Sequence, residues 1–162
     1  VDGREVDIWM GTLSKTLASC GGFVAGSQEL IDQLRYLAPG FLYSVGLSPA
    51  DGAAALQALK ILQREPERVS RLQNGGQRLL EGFRELGIDP GPSQGFAIVP
   101  WIVGSSLRAV QLSEQLLQTG IDVQPILYPA VPERRARLRF FVSSEHSAQD
   151  IEGTLTQIAA LL

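Results

Sequence analysis

Asp7-Ile8-Trp9-Met10-Gly11-Thr12-Leu13-Ser14-Lys15-Thr16-Leu17-Ala18-Ser19-Cys20-Gly21-Gly22 is the stretch on which the fold turns. Residues 6–10 are an apolar run that meets a glycine, which predicts a short buried strand and a turn at Gly11. Residues 11–22 are small and polar around one lysine. Residues 22–26, Gly-Phe-Val-Ala-Gly, then read as a second short strand. A lysine on a tight turn after a buried strand has its amine held at a fixed point near apolar surface. Such a surface disfavours the ammonium and favours the free amine that attacks a carbonyl.

Gly11, Thr12, Ser14 and Ser19 add backbone N–H groups and hydroxyls close by. Those donors suit a phosphate. An amine for an aldehyde and donors for a phosphate, a few residues apart, describe an anchor for pyridoxal phosphate (PLP). Lysine is also scarce: among 14 basic residues only Lys15 and Lys60 are lysines. Against this, most lysines are solvated surface residues, and Ser/Gly turns beside them are common. The residues alone leave both readings open.

Outward from this segment, Ser27 predicts an N-cap for a helix with Leu30, Ile31, Leu34 and Leu37 on one face, ended by Pro39-Gly40. Residues 41–48 read as a loop. Ser48-Pro49 starts a second helix, since Pro at the first position loses no hydrogen bond. That helix is small and apolar on much of its surface, which predicts close packing on more than one side. Glu65-Pro66 restarts a helix with Val69, Leu72, Leu79, Leu80 and Phe83 on one face; Asn74-Gly75-Gly76 marks a possible break in it. Beyond residue 88 the pattern is strand (96–103), helix capped by Ser105 or Ser106, strand (121–126), proline-rich loop (128–133), strand (138–142). A last helix starts at Ser147 with Asp150 three residues on, and puts Ile151, Leu155, Ile158 and Leu162 inward. Three strands with helices between and after predict an α/β sandwich with helices on one face.

The 162 residues are 44% hydrophobic and 19% charged, which suits a packed core, not a disordered chain. Net charge is −3, with no basic stripe for nucleic acid. No apolar run approaches the roughly 18 residues of a membrane span, and no signal-peptide pattern opens the chain. Cys20 is the single cysteine, so no internal disulfide or Cys-based metal site forms, and a cytoplasmic location fits; Cys20 itself reads as a small buried filler. An apolar run so soon after Val1, with no Met, reads as a piece of a larger protein.

Gly11-Thr-Leu-Ser-Lys15, Gly21-Gly-Phe-Val-Ala-Gly26 and Phe41-Leu-Tyr-Ser-Val-Gly-Leu-Ser-Pro49 together resemble the α-oxoamine synthases. These fold-type-I PLP enzymes include 8-amino-7-oxononanoate synthase, 2-amino-3-ketobutyrate CoA ligase, 5-aminolevulinate synthase and serine palmitoyltransferase. The resemblance continues through Ile98-Val-Pro-Trp-Ile-Val-Gly104, Gly120-Ile-Asp-Val-Gln-Pro-Ile126, Tyr128-Pro-Ala-Val-Pro132, Ala136-Arg-Leu-Arg139 and His146. It implies residues 1–48 as the tail of the large PLP-binding domain, 49–87 as linking helices and 88–162 as a small C-terminal α/β domain with a short, mainly antiparallel sheet.

The same resemblance implies the roles. Lys15 forms the internal aldimine and shuttles the substrate's α-proton. Thr12 binds the cofactor phosphate. Ser44 and the backbone at Val45 reach the phosphate of the neighbouring subunit in a homodimer. Arg139 clamps the amino-acid carboxylate, and Ala130 lines the substrate site where relatives can carry a threonine. The reaction implied is condensation of an amino acid with an acyl thioester, on coenzyme A or an acyl carrier protein, with loss of carbon dioxide. The carboxylate that pairs with the pyridine nitrogen, the stacking ring and the Gly-rich phosphate segment lie upstream in the family, so the chain alone is expected to bind PLP weakly and not turn over. A class I/II aminotransferase and a non-catalytic dimerisation or docking module are the alternatives. Without the resemblance, Arg137 and Arg139 read as solvent-facing residues, Thr12 and Ser44 as turn formers, and His146 as structural.

Overall fold

The computed structural model describes residues 2–162. It divides into two compact units, Val1–Glu65 and Pro66–Leu162.

In the first unit, β1 (Trp9–Thr12) pairs antiparallel with β2 (Gly22–Ala25), with Trp9 opposite Ala25 and Thr12 opposite Gly22. The strand therefore starts three residues later than the apolar run and continues through Gly11. Nor is it buried: Ile8, Trp9 and Met10 are all exposed. The apolar run marks a surface that its own unit does not cover. Helix α1 (Gln28–Leu37) is capped by Ser27, whose hydroxyl accepts from the Leu30 N–H at 3.3 Å. It ends before Pro39, which opens a four-residue helix, α2 (Pro39–Leu42), instead of merely stopping α1. Helix α3 (Pro49–Arg64) begins as its sequence predicts, with Ser48 accepting from the Asp51 N–H. Only Ala55 of α3 is buried, while Leu56 and Leu59 stay exposed, so the expected packing on several sides is not supplied within this unit.

The second unit has a closed core. Helix α4 (Glu67–Glu85) runs unbroken through Asn74-Gly75-Gly76. The glycines serve close approach: a Cβ at Gly76 would overlap the carbonyl oxygens of Gly95 and Phe96, and one at Gly82 would overlap Leu155. Strand β3 (Ile98–Gly104) follows, then α5 (Ser106–Gln118), capped by Ser105. The expected strand at 121–126 shrinks to β4 (Pro125–Ile126), because the backbone before it bonds to α5. The Ile121 N–H donates to the Leu116 carbonyl, and the Val123 carbonyl accepts from the Ser113 hydroxyl at 2.6 Å. Strand β5 (Ala136–Phe141) lies between β3 and β4, antiparallel to both. Helix α6 (Ala148–Ala159) closes the unit from a capping box in which Ser147 and Asp150 satisfy each other's backbone N–H. Leu162 lies beyond its end and is exposed; Leu161 packs on the core instead.

Alternation along the strands sets two faces. Val99, Trp101, Leu138 and Phe140 are buried with Leu79, Leu80 and Phe83 of α4, Leu112 and Leu116 of α5, and Ile151, Leu155 and Ile158 of α6. Phe83 meets the rings of Trp101 and Phe140 edge-on, with centroids 6.4 and 5.3 Å away. Each such side chain contributes about 1.5–3 kcal/mol by leaving water. Arg78 of α4 joins this layer at its rim by pairing with Glu152 of α6 and Glu85. The opposite sheet face, with Ile98, Arg137, Arg139 and Phe141, carries no helix of this unit.

Candidate active site

The lysine turn is built from backbone hydrogen bonds. Leu13, the buried anchor of the segment, donates its N–H to the Gly21 carbonyl and accepts at its own carbonyl from the Ser19 N–H, both at 2.9 Å. Inside that bracket the Ala18 N–H donates to the Lys15 carbonyl, and Ala18 sits at φ 47°. The Ser19 hydroxyl ties the turn to the start of α3 by donating to the Asp51 carbonyl at 2.7 Å. Residues 14–18 are thereby held in a small loop in which Lys15 opens the turn centred on Thr16 and Leu17.

Thr12 and Ser14 stand on the same turn with hydroxyl oxygens 2.8 Å apart, and the Ser14 N–H donates to Thr12 Oγ1 at 3.2 Å. Both residues are exposed, as is Lys15. Among the described residues, the apolar surround expected for the amine is thus absent from its own unit: Lys15 is exposed, and Leu13 is the one buried residue of the turn. Cys20 is likewise exposed and fills no core position, since it lies on the same β1–β2 connection. An exposed amine on the same turn as two mutually oriented hydroxyls suits an aldehyde-and-phosphate ligand such as PLP, on the donor set alone.

Ser44 and Val45 lie on the connection between α2 and α3. The Ser44 hydroxyl accepts from the Gly46 N–H at 3.4 Å, and Val45 is fully exposed. Arg139 and Ala130 belong to the other unit. Ala130 is exposed, in a turn closed by its N–H donating to the Leu127 carbonyl. The two arginines of Arg-Leu-Arg differ. Arg137 Nε donates to the Arg135 carbonyl at 3.1 Å, whereas the Arg139 guanidinium lies over the Phe141 ring, 4.9 Å from its centroid. So the structure gathers Thr12, Ser14 and Lys15 on one turn and sets Ser44 and Val45 on a separate loop of that unit. Ser14 and Ser19 count among the phosphate donors that the sequence suggests, but Ser19 spends its hydroxyl on the Asp51 carbonyl, and Phe141 has no role in that reading. Spacing from Thr12 and Arg139, two residues each, was the signal that placed Ser14 and Phe141 beside them.

His146 acts locally, its Nδ1 accepting from the Ser143 N–H at 3.2 Å. The Ser147 N–H and hydroxyl hold the Asp150 carboxyl below the usual carboxylate range, with a smaller push from His146. Among the described residues no cluster of His, Cys, Asp and Glu could hold a metal ion, and no helix is long and apolar enough to cross a membrane.

The family model for aminotransferase class I and II matches residues 1–158. The chain belongs to this family. Within the aminotransferase class I and II proteins it is similar to the 8-amino-7-oxononanoate synthase of Thermosipho melanesiensis, 44% identical over 93% of this chain and 38% of the relative. The same enzyme of Symbiobacterium thermophilum is 40% identical over 98% of this chain and 40% of the relative. A solved structure of SPT with a PLP internal aldimine superposes with a TM-score of 0.89 at 25% identity, covering 98% of this chain and 40% of that one. The fold is therefore that of the fold-type-I PLP enzymes, and the resemblance to the α-oxoamine synthases is borne out. The chain spans about 40% of the length of the curated relatives it matches.

Proposed function

We propose that this chain supplies the lysine turn and the carboxylate clamp of a PLP-dependent acyltransferase that joins an amino acid to an acyl thioester with loss of carbon dioxide. The observation that carries this reading is the bracketed turn that carries Lys15 together with the Thr12 and Ser14 hydroxyls, in a chain similar along nearly its whole length to 8-amino-7-oxononanoate synthases.

PLP, when bound, supplies the electron sink that stabilises negative charge at the amino acid's α-carbon. Lys15 holds the cofactor, and its Nζ then takes and returns the proton at that carbon. The Thr12 hydroxyl donates to the cofactor phosphate. Ser44 and the Val45 backbone reach the phosphate held by the other subunit of a homodimer, which their exposure within this chain permits. Arg139 receives the substrate carboxylate, since a guanidinium fork matches two carboxylate oxygens. Ala130, in the exposed turn after β4, lines the substrate site. We place the enzyme in the cytoplasm.

The relatives' product narrows the substrates. In 8-amino-7-oxononanoate the amine stands on carbon 8, next to a terminal methyl, and the ketone on carbon 7. Cutting between those two carbons leaves alanine less its carboxylate, and an acyl unit of seven carbons. We therefore assign L-alanine and an acyl thioester as the substrate pair. The family model's own description favours a second reading, amino-group transfer to a 2-oxo acid. The parent enzyme loaded with PLP separates the two. Carbon dioxide and an α-amino ketone from L-alanine plus acyl thioester are the expected result; 2-oxo acid consumption without carbon dioxide would overturn the proposal.

A further inference from the structure

We propose that Phe141 is a positioning residue for the carboxylate clamp: its ring holds the Arg139 guanidinium in the orientation that binds the amino acid. This rests on the reading of Arg139 as the clamp. Alternation along β5 puts Arg137, Arg139 and Phe141 on the face away from the core, since Ala136, Leu138 and Phe140 are the buried set. Phe141 is 57% exposed, so packing does not require an aromatic side chain there. Its cross-strand partner is Ile98, and that of Arg139 is Pro100. These give the row an apolar floor.

The guanidinium contact is selective. Arg137 is committed to the Arg135 carbonyl, but among the described residues no oxygen accepts a hydrogen bond from the Arg139 side chain and no carboxylate pairs with it. Its side chain instead lies against the Phe141 ring, at 4.9 Å. A guanidinium uses its flat face against a ring and its in-plane N–H groups against a carboxylate. One orientation therefore satisfies both. Contact with the ring removes rotamer freedom from a long side chain before the substrate arrives, so less is lost on binding.

The test uses the PLP-loaded parent enzyme, with L-alanine as probe. Phe141→Leu should raise the KM for L-alanine about three- to fivefold, as loss of an exposed cation–π contact implies. The L-alanine dissociation constant, read from the cofactor's absorbance, should rise in parallel. The KM for the acyl thioester should stay unchanged, and Phe141→Tyr should restore wild-type binding. Unchanged L-alanine binding in Phe141→Leu, a matching rise in the acyl thioester KM, or no rescue by tyrosine would overturn the inference. Arg139→Gln distinguishes the levels. If it weakens L-alanine binding while Phe141→Leu does not, only the role of Phe141 fails; if Arg139→Gln leaves L-alanine binding intact, the clamp reading fails with it.

Discussion

The two units spend their apolar residues differently. Pro66–Leu162 turns 17 hydrophobic residues into one buried cluster, fed by three helices and a three-stranded sheet. Among its described residues, Val1–Glu65 buries only Leu13 and Ala55. It leaves Met10, Phe23, Val24 and Phe41 exposed around a hollow of about 690 Å³. Exposed apolar area costs about 25 cal/mol per Å², so the first unit forgoes the stabilisation that the second one has. What holds its lysine turn is a few hydrogen bonds instead: the local Leu13 bracket and Thr12–Ser14 pair, and the longer-range Ser19–Asp51 tie. The difference teaches where each half gets its shape. The unit that carries Arg139 is set by its own core. The lysine-bearing unit is set by turn chemistry, and much of its apolar surface stays uncovered within the unit.

Amide hydrogen exchange on the 162-residue chain bears on this contrast most strongly. Amides of β3 and β5 should exchange only on global unfolding, and those of β1 and β2 by local opening, with protection lower by about a thousandfold or more. Equal protection in both sheets would break the comparison. Phe83→Ala comes next: it empties the centre of the closed core and should cost about 3–5 kcal/mol in urea unfolding. Two glycine replacements sharpen the point with opposite signs. Gly76→Ala must displace backbone at Gly95 and Phe96 and should destabilise by about 1–3 kcal/mol. Gly153→Ala meets nothing within 4 Å in the interior of α6 and should stabilise by about 0.5–1 kcal/mol.

The smallest effect is at the α6 cap. Bonds from the Ser147 N–H and hydroxyl hold the Asp150 carboxyl below its ordinary value. A lowered carboxyl stabilises the fold where it is ionised. Its contribution is therefore complete above the ordinary carboxylate range, near about pH 4, and disappears as pH falls through the lowered folded value. Asp150→Asn should melt below wild type at neutral pH, and the gap in Tm should close under strong acid.

Much of this was legible in the sequence where the determining chemistry is local. Ser27, Ser48, Ser105 and Ser147 each cap the helix their position announced. The lysine turn was legible for the same reason, as small residues and hydroxyls packed between two short strands. What was not legible depends on distant partners. The glycine pair in α4 looks like a break until Gly95 and Phe96 arrive against it. Residues 121–124 alternate like a strand, but α5 takes the Ile121 N–H and the Val123 carbonyl first. The exposure of β1 could not be read from its apolar run, because burial is a property of the covering surface and not of the run. Arg137 and Arg139 are chemically alike along the chain; only side-chain placement on β5 commits one to a carbonyl and leaves the other over a ring.

The central claim is that Lys15 is the residue that takes PLP. Borohydride reduction of the PLP-loaded parent enzyme, followed by peptide mapping, tests it directly. A pyridoxyl group fixed on Lys15, and none in Lys15→Ala, is the predicted result. Stable labelling at another lysine, with position 15 unmodified, would contradict it.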